Sequence, residues 1–584
     1  MSEVEKLPQG WGTTKLSEIA SLIRGISYKK AESIDSIKEG YFGVLRATNI
    51  NNGTLDFNNL VFVPSSNIND NQFLIAGDVV IAASSGSKDI VGKAGQFFSS
   101  EKVSFGAFCS GLRPDKYLNQ KYFGFYFQSH EYRHTVAELS SGSNINNLKT
   151  SDLSNLPFPI APVNEQSRIV DKLEELFSEL DAGVKELKTA QTKLSQYRQS
   201  LLKSAVDGSL TEQWRAENSA QVQETGEQLL ARILKQRREQ WQQQKLTEFA
   251  EKGKTPPKNW QDKYPELMQP DTTDLPKLPE GWVWASLGQC FKVEVGATPS
   301  RKQPTYWGGE IPWASSGEVQ FGRIKDTKEK ITEGGLKNSS TQINPKGSVL
   351  LGMIGEGKTR GQSAILDIDA ANNQNCAALW VPNSGISSEY VFYWLWSQYD
   401  KTRSGSSGNN QPALNKSLVE KMPIAISSIK EMAFIGSYLS EEFTSVDKKT
   451  SDIYFALKQS AAQRKNILKS AFSGQLVPQD PNDEPASVLL EKIKLEREAL
   501  AKKPKTKQIK TKSAMKKITV EELAKWVDNY KGNSFTFEEL QTAFQGDYDQ
   551  LKDCVFDMLS ADKPLFKQVF DQKLNAITFI KEGK

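Results

Sequence analysis

Two short strings carry the spacing of catalytic motifs. "HEYRH" (130–134) sets His130 and His134 four residues apart with Glu131 between them. On a helix the two imidazoles would share a face and could hold zinc, with the glutamate as base. "GMIGEGKT" (352–359) fits the GxxxxGK[ST] phosphate loop, whose backbone N–H groups and lysine cradle an anion. Both readings need more than the string. The chain has no other histidine, so a third zinc ligand would have to be a carboxylate. A phosphate loop needs a helix straight after it, aimed at the anion. Here "RGQSAILDIDAANNQN" (360–375) follows, which reads as a strand and a turn. Gly352, Gly355 and Gly357 then serve as turn glycines. No nucleophile-elbow serine, NPPY-type string or nuclease-like carboxylate cluster stands out.

The elements that would position such groups are written twice. "LPQGW" (7–11) returns as "LPEGW" (278–282), 271 residues on. "KSAVDGSL" (203–210) returns as "KSAFSGQL" (469–476), 266 residues on, and Cys109 returns as Cys376, 267 on. "SGSNINNLKTSDL" (141–153) has a looser partner in "SGSSGNNQPALNKSL" (404–418), and "LLARILKQRRE" (229–239) resembles "LLEKIKLERE" (489–498). Five matches in one order make the chain two copies of a unit of about 230 residues. The repeat counts against both motifs. The second copy has "QYDKT" (398–402) where the first has "HEYRH", and the first has "AASSGSKD" (82–89) where the second has "GMIGEGKT".

Each copy opens with short strand-like runs punctuated by Gly, Asn and Ser, which predicts a mixed, largely β module. An aromatic helix follows, "KYFGFYFQS" (121–129) or "EYVFYWLWSQ" (389–398), then a Gly/Ser/Asn loop and a short Pro-rich exit. The pattern next turns to long helix. Ile169, Leu173, Leu176, Leu180, Val184, Leu187, Leu194, Tyr197 and Leu201 form one apolar seam with a local irregularity. Ile435, Leu439, Phe443, Val446, Ile453, Leu457 and Ile467 form the second. A helix of about 40 residues spans roughly 60 Å. With one apolar stripe each, the two helices are expected to pair, antiparallel, with a module at each end. The fold class expected is α+β: two similar mixed modules, a pair of long antiparallel coiled-coil helices and a small, mostly helical C-terminal domain, winged-helix-like. The boundaries read as 1–160 for the first module, 161–252 for the first helical region and 253–277 for a Pro-rich linker. The second module takes 278–426, the second helical region 427–500, a Lys-rich tether 501–517 and a docking domain 518–584.

Bulk properties exclude little. Net charge is +4 over 584 residues, so any polyanion-binding face is local. Four scattered cysteines without a CxxC pair, no apolar run of 18 residues and an N-terminus unlike a signal peptide point to a reduced, cytoplasmic protein. The last 67 residues hold twelve acidic against eight basic side chains, which favours docking to protein over a DNA-binding face.

The two "LPxGW" openings, the Gly-Asp-Val-Val strand (77–80), the "SGSNINNL" loop and "APVNEQSRIVDKLEELF" (161–177) together resemble the specificity subunit of type I restriction–modification enzymes. The last segment is similar to that family's PP-x-x-EQ-x-x-I helix entry, through Pro162, Glu165, Gln166 and Ile169. The second copy departs, since "AISSIKEMAFI" (425–435) lacks the Pro and the Glu-Gln pair. The resemblance covers about 1–500. It implies a non-catalytic subunit that reads a split double-stranded DNA site, one module per half. Methylation subunits, docked on the helical regions, would carry S-adenosylmethionine. Restriction subunits would use ATP and Mg, and this chain would hold no cofactor or metal.

Base edges in the major groove are read by Arg, Lys, Asn, Gln, Ser and Thr presented on loops. In the first module the candidates are Arg46, Thr48, Asn49, Ser85, Ser87, Lys88 and Lys93, with Asn144, Asn146, Asn147 and Lys149 in the Gly/Ser/Asn loop. In the second they are Ser315, Ser316, Arg323, Lys358, Arg360, Gln362, Asn409, Asn410 and Gln411. A zinc or nucleotide enzyme and a protein-binding scaffold are the competing classes.

Overall fold

A four-stranded antiparallel sheet organises the first module of the computed structural model. Its order is Ala20–Arg24, Cys109–Pro114, Val79–Ala82, Ala94–Gln96. The second module repeats it as Lys292–Val295, Cys376–Trp380, Val349–Gly352, Ser363–Leu366, and adds Gly322–Ile324 in parallel at the edge. A smaller three-stranded sheet also recurs. Tyr41–Leu45 lies between antiparallel Val61–Pro64 and parallel Val103–Phe105. Trp307–Ala314 lies between antiparallel Glu329–Ile331 and parallel Ala371–Asn372. The structure describes residues 7–581 other than 52, 86, 88, 141–145, 356, 405–412, 503–517, 545–547, 562, 563 and 572–575.

The aromatic runs are the helices Gln120–Tyr126 and Ser388–Ser397, capped by the side chains of Asn119 and Ser387. Each clamps the Pro-rich exit of its module. Tyr122 and Tyr126 donate their hydroxyls to the Pro159 and Pro157 carbonyls, at 3.0 and 2.6 Å. Tyr390 and Trp394 donate to the Ala425 and Pro423 carbonyls, at 2.6 and 2.9 Å. A buried tyrosine or tryptophan must satisfy its polar tip, and the proline-rich strand has carbonyls to spare. That strand, Pro157–Ile160 or Pro423–Ile426, pairs antiparallel with Gly12–Lys15 or Val283–Ser286.

The chain divides into two compact units, Met1–Lys185 with Leu457–Lys584, and Glu186–Ala456. The two long helices, Val163–Asp207 and Ile429–Phe472, each begin in one unit and end in the other. Within each unit they run antiparallel. In the first, Leu173 and Phe177 share a core with Leu468 and Phe472, while Arg168 pairs with Asp483 and Arg464 with Asp181. In the second, Leu201, Leu202 and Ala205 share a core with Ile435, Leu439 and Phe443, and Arg198 pairs with Asp447. The apolar stripe is not uniformly buried. Tyr197, expected in the seam, is exposed and donates its hydroxyl to Glu442 at 3.0 Å.

The repeated Leu-Pro-x-Gly-Trp opening is a structural anchor. Gly10 and Gly281 take φ of +89° and +83° in turns closed by Trp11 N–H to Pro8 and Trp282 N–H to Pro279, both 3.2 Å. Only glycine enters that region freely. Each tryptophan then donates its indole N–H to a glutamate at the start of its own copy's long helix: Trp11 to Glu165 (3.0 Å) and Trp282 to Glu431 (3.1 Å). The rest of the anchor comes from the other copy. Gly474 and Gly208 end the long helices at φ of +72° and +77°, where an added Cβ would meet the Pro8 and Pro279 rings. Two later helices, Ala486–Lys502 and Gly226–Glu251, start by donating to the Gly10 and Gly281 carbonyls, both at 2.8 Å. Glu431 corrects the sequence reading of the second helix entry. The glutamate is kept, while the proline is replaced by Ser428 and the glutamine by fully buried Met432.

The segment 253–277 packs back within its unit. Trp260 stacks on Trp241 at 5.9 Å, and the Met268 carbonyl accepts from the Ser286 hydroxyl at 2.6 Å. The C-terminal module comprises helices Val520–Asn529, Phe537–Ala543 and Tyr548–Leu559 around a core of Leu523, Val527, Phe535, Phe566 and Phe579. It carries more strand than the sequence reading expected. Ser534–Thr536, Ala576–Lys581 and Phe566–Asp571 form an antiparallel sheet in that order, giving the helix–strand–helix–helix–strand–strand succession of a winged helix.

Candidate nucleic-acid interface

In the first module the candidate loops converge because their backbones bond to one another. The Leu45 carbonyl, just before Arg46, accepts from Gly106 N–H at 2.8 Å. Two residues on, the Phe108 carbonyl accepts from Ala83 and Ser84 at 2.9 and 3.1 Å. Asn146–Asn147 then pairs antiparallel with Ser84–Ser85, and Leu148 N–H donates to the Ala83 carbonyl at 2.8 Å. Arg46, Ser85, Asn147 and Lys149 therefore belong to one linked set of loops. Arg133 braces their flank by donating to the Val91 and Asp89 carbonyls.

The second module repeats the junction. Leu414 N–H donates to the Met353 carbonyl at 3.1 Å, the counterpart of Leu148 and Ala83. The turn that holds Lys358, Arg360 and Gln362 is closed by paired Gly352–Gln362 and Gly361–Gly352 backbone bonds, both 2.8 Å. Exposed Lys358 stands at its tip, its carbonyl taking the Tyr399 hydroxyl at 2.8 Å. Strands flank this turn, Val349–Gly352 before and Ser363–Leu366 after, so no helix N-terminus faces it as a phosphate loop requires.

Not every candidate is presented outward. Asn49 is 4% exposed, and its amide donates to the Asp56 and Asn58 carbonyls while accepting from Arg46 N–H. Its role is to build the loop. Ser315 donates both N–H and hydroxyl to Glu318 and caps a short turn. Arg323 is gripped by Asp367, which takes both its Nε and Nη2, and by Glu389 at 2.9 Å. That grip pushes the guanidinium pKa up and holds the Asp367 carboxyl below its ordinary range. Arg360 is buried and donates to the Arg403 carbonyl. Asn49 and Arg360 are thus buried in the fold, whereas Ser315 is half-buried and Arg323 is exposed, its guanidinium already paired with two carboxylates.

Arg46 is exposed, with one Nη donating to the Asn59 carbonyl at 2.9 Å; Thr48 and Ser87 are exposed as well. Ser85, Lys93, Asn147, Ser316 and Gln362 are half-buried, and Lys149 is exposed and reaches Asp557 at 3.2 Å. Lys88, Asn144, Asn409, Asn410 and Gln411 lie outside the described residues, and Asn146 is described only as strand backbone. Phe108, 56% exposed at the centre of the first loop set, was missed. It is not among the candidates named from the sequence, although Gly106, two residues before it, signals a turn.

The histidine pair sits on the helix His130–Leu139 with ring centroids 6.0 Å apart. Among the described residues no group of three or more His, Cys, Asp or Glu is placed to hold a metal, and no helix is long and apolar enough to cross a membrane. Burial pushes the Glu165 carboxyl up, with the Trp11 indole and Arg168 pulling it back. All four cysteines are free and buried, and burial pushes the Cys109, Cys290 and Cys376 thiols up to about 12, too high for a reactive thiolate.

The family described as Type I restriction modification DNA specificity domain matches residues 8–189 and 279–466, once in each copy. The chain is 40% identical over 210 residues to the type I restriction enzyme EcoKI specificity subunit of Escherichia coli K12, covering 36% of this chain and 45% of that one. It is 39% identical over 214 residues to the StySPI specificity subunit of Salmonella potsdam, covering 37% and 46%. The matched stretch thus spans less than half the length of these relatives. A chain from a structural study of complex assembly and conformational transition in the type I R-M system superposes with a TM-score of 0.54 at 16% identity. It covers 81% of this chain and 100% of that one, which shows a shared fold. With two matched regions that span well over half of its residues, the chain belongs to the type I restriction–modification DNA specificity family.

Proposed function

We propose that this chain is the sequence-reading subunit of a type I restriction–modification complex. It takes an asymmetric bipartite site in double-stranded DNA, one module per half-site. The observation that carries this reading is the repeated loop junction, Leu148 on Ala83 and Leu414 on Met353. One scaffold presents the same loop set twice, while the residues on the loops differ. Arg46, Thr48, Ser85, Ser87, Asn147 and Lys149 are the proposed contacts of the first half, and Ser316, Lys358 and Gln362 of the second. Lys88, Asn144, Asn409, Asn410 and Gln411, outside the described residues, remain proposed contacts on their position in the sequence alone. Such side chains read base edges or fix phosphates, and each good base pairing discriminates by about 1–3 kcal/mol.

The chain is proposed as non-catalytic. Methylation subunits would dock on the helical regions 161–252 and 427–500 and bring S-adenosylmethionine; restriction subunits would bring the ATP- and Mg-dependent motor and nuclease. Replacing 7–160 with the matching module of another member is expected to change one half of the recognised site and leave the other. Unchanged recognition after that exchange would refute the reading.

A further inference from the structure

The C-terminal module lies against the loops just assigned to DNA. Its helix Tyr548–Leu559 and its sheet bring Phe556, Lys552 and Ile577 against Ser84, Ser85 and Phe108 around a cavity of about 230 Å³. A second, smaller cavity joins Lys552 and Asp553 to Asn147 and Lys149. The Asp557 carboxylate takes the Lys149 ammonium at 3.2 Å. The module carries twelve acidic and eight basic residues, so it brings negative charge to the place where phosphates would lie.

We propose that residues 518–584 act as a resident competitor for DNA at the first module's loops, an acidic cover that duplex must displace. This rests on the function proposed above. Three features fit a cover that opens. The Lys149–Asp557 pair is half exposed on both sides, where ion pairs are weak and yield to salt. Asn147 Oδ1 on the module and Gln568 Oε1 on the cover are buried without a hydrogen-bond partner, so the contact is imperfectly satisfied. The cover also has its own core, and the core of the first module draws nothing from it. Displacement therefore unfolds neither.

The test compares the full chain, a chain ending at residue 517, which keeps the Lys-rich tether and loses only the acidic module, and Phe556→Ala, which loosens the contact at constant charge. The probe is a mixed-sequence duplex, read by fluorescence anisotropy at low salt. Amide exchange at 84–85, 106–109 and 147–150 reports the contact. A cover docked nine-tenths of the time weakens binding about tenfold. Truncation is expected to restore that factor, Phe556→Ala part of it, and both to release the amides. Equal affinity in all three chains overturns the cover while leaving DNA reading intact. Tightening by truncation alone assigns the effect to net charge and also overturns it. No duplex binding by any chain refutes the DNA reading itself.

Discussion

Glu431→Gln is the sharpest probe of the anchor that joins the two copies. Three donors converge on a carboxylate that is 3% exposed: Thr211 Oγ1 and Arg215 on Oε1, at 2.7 and 2.8 Å, and the Trp282 indole on Oε2, at 3.1 Å. An amide keeps the shape but turns one oxygen into a donor, so at least one of these bonds is lost and a donor is left facing a donor. A hydrogen bond to a buried charged group contributes about 1.5–3 kcal/mol. Leaving Arg215 without its countercharge adds to this, moderated because its side chain is 23% exposed. The expected loss is therefore about 3 kcal/mol. Glu165→Gln removes a carboxylate bonded by Trp11 and Gln479, neither charged, and should cost about half as much. Urea unfolding with amide exchange reads both, with the loss from Glu431→Gln confined to residues 186–456. A cycle with Trp282→Phe should show coupling of about 1–3 kcal/mol. Strict additivity, or equal losses from the two substitutions, would mean that the buried Glu431 carboxylate does not hold the anchor together.

Four further outcomes follow from the same structure. Gly208→Ala and Gly474→Ala force a Cβ to within 2.5 and 2.3 Å of proline Cγ atoms at positive φ, and should each lower thermal stability by at least about 1–2 kcal/mol. Gly183→Ala, mid-helix with open space around it, should raise stability by about 0.5–1 kcal/mol in the same thermal scan. Asp367 and Asp483 are held below their ordinary value of 3.8 by hydrogen bonds from Arg323 and Arg168. A depressed carboxylate contributes stability above its unfolded pKa and loses it as pH falls through the folded one, so urea midpoints should drop below pH 3.8 and Asp367→Asn should blunt the drop. Lys358→Ala in the assembled complex should either reduce the salt slope of DNA binding by about one phosphate or alter one half-site; no change in slope, affinity or recognised bases would remove Lys358 from the interface.

The repeat was legible because glycine and proline record geometry. Gly10 and Gly281 sit where a turn needs positive φ, and Gly208 and Gly474 where helices end left-handed against a proline ring. The long helices were legible from their apolar stripe. The exchange of parts was not, since Trp11 meets Glu165 but also the end of the other copy's helix, hundreds of residues away. Glu431 was overlooked because Ile429, Lys430 and Met432 around it differ from the first copy's entry. The loop candidates divided on partners outside any local window. Arg323 is taken by Asp367 and Glu389, 44 and 66 residues on, and Asn49 by carbonyls of a loop it closes itself. A polar residue on a loop reads the same whether it faces solvent or builds the turn.

Two unlike copies of one module are proposed to read two halves of one site. Mapping methylated adenines across the genome of a host in which this chain is the sole specificity subunit tests it most directly. A single asymmetric motif in two separated parts is expected, lost when the chain is deleted, with only one part altered when 7–160 is exchanged. A continuous motif, or methylation indifferent to the chain, would contradict it.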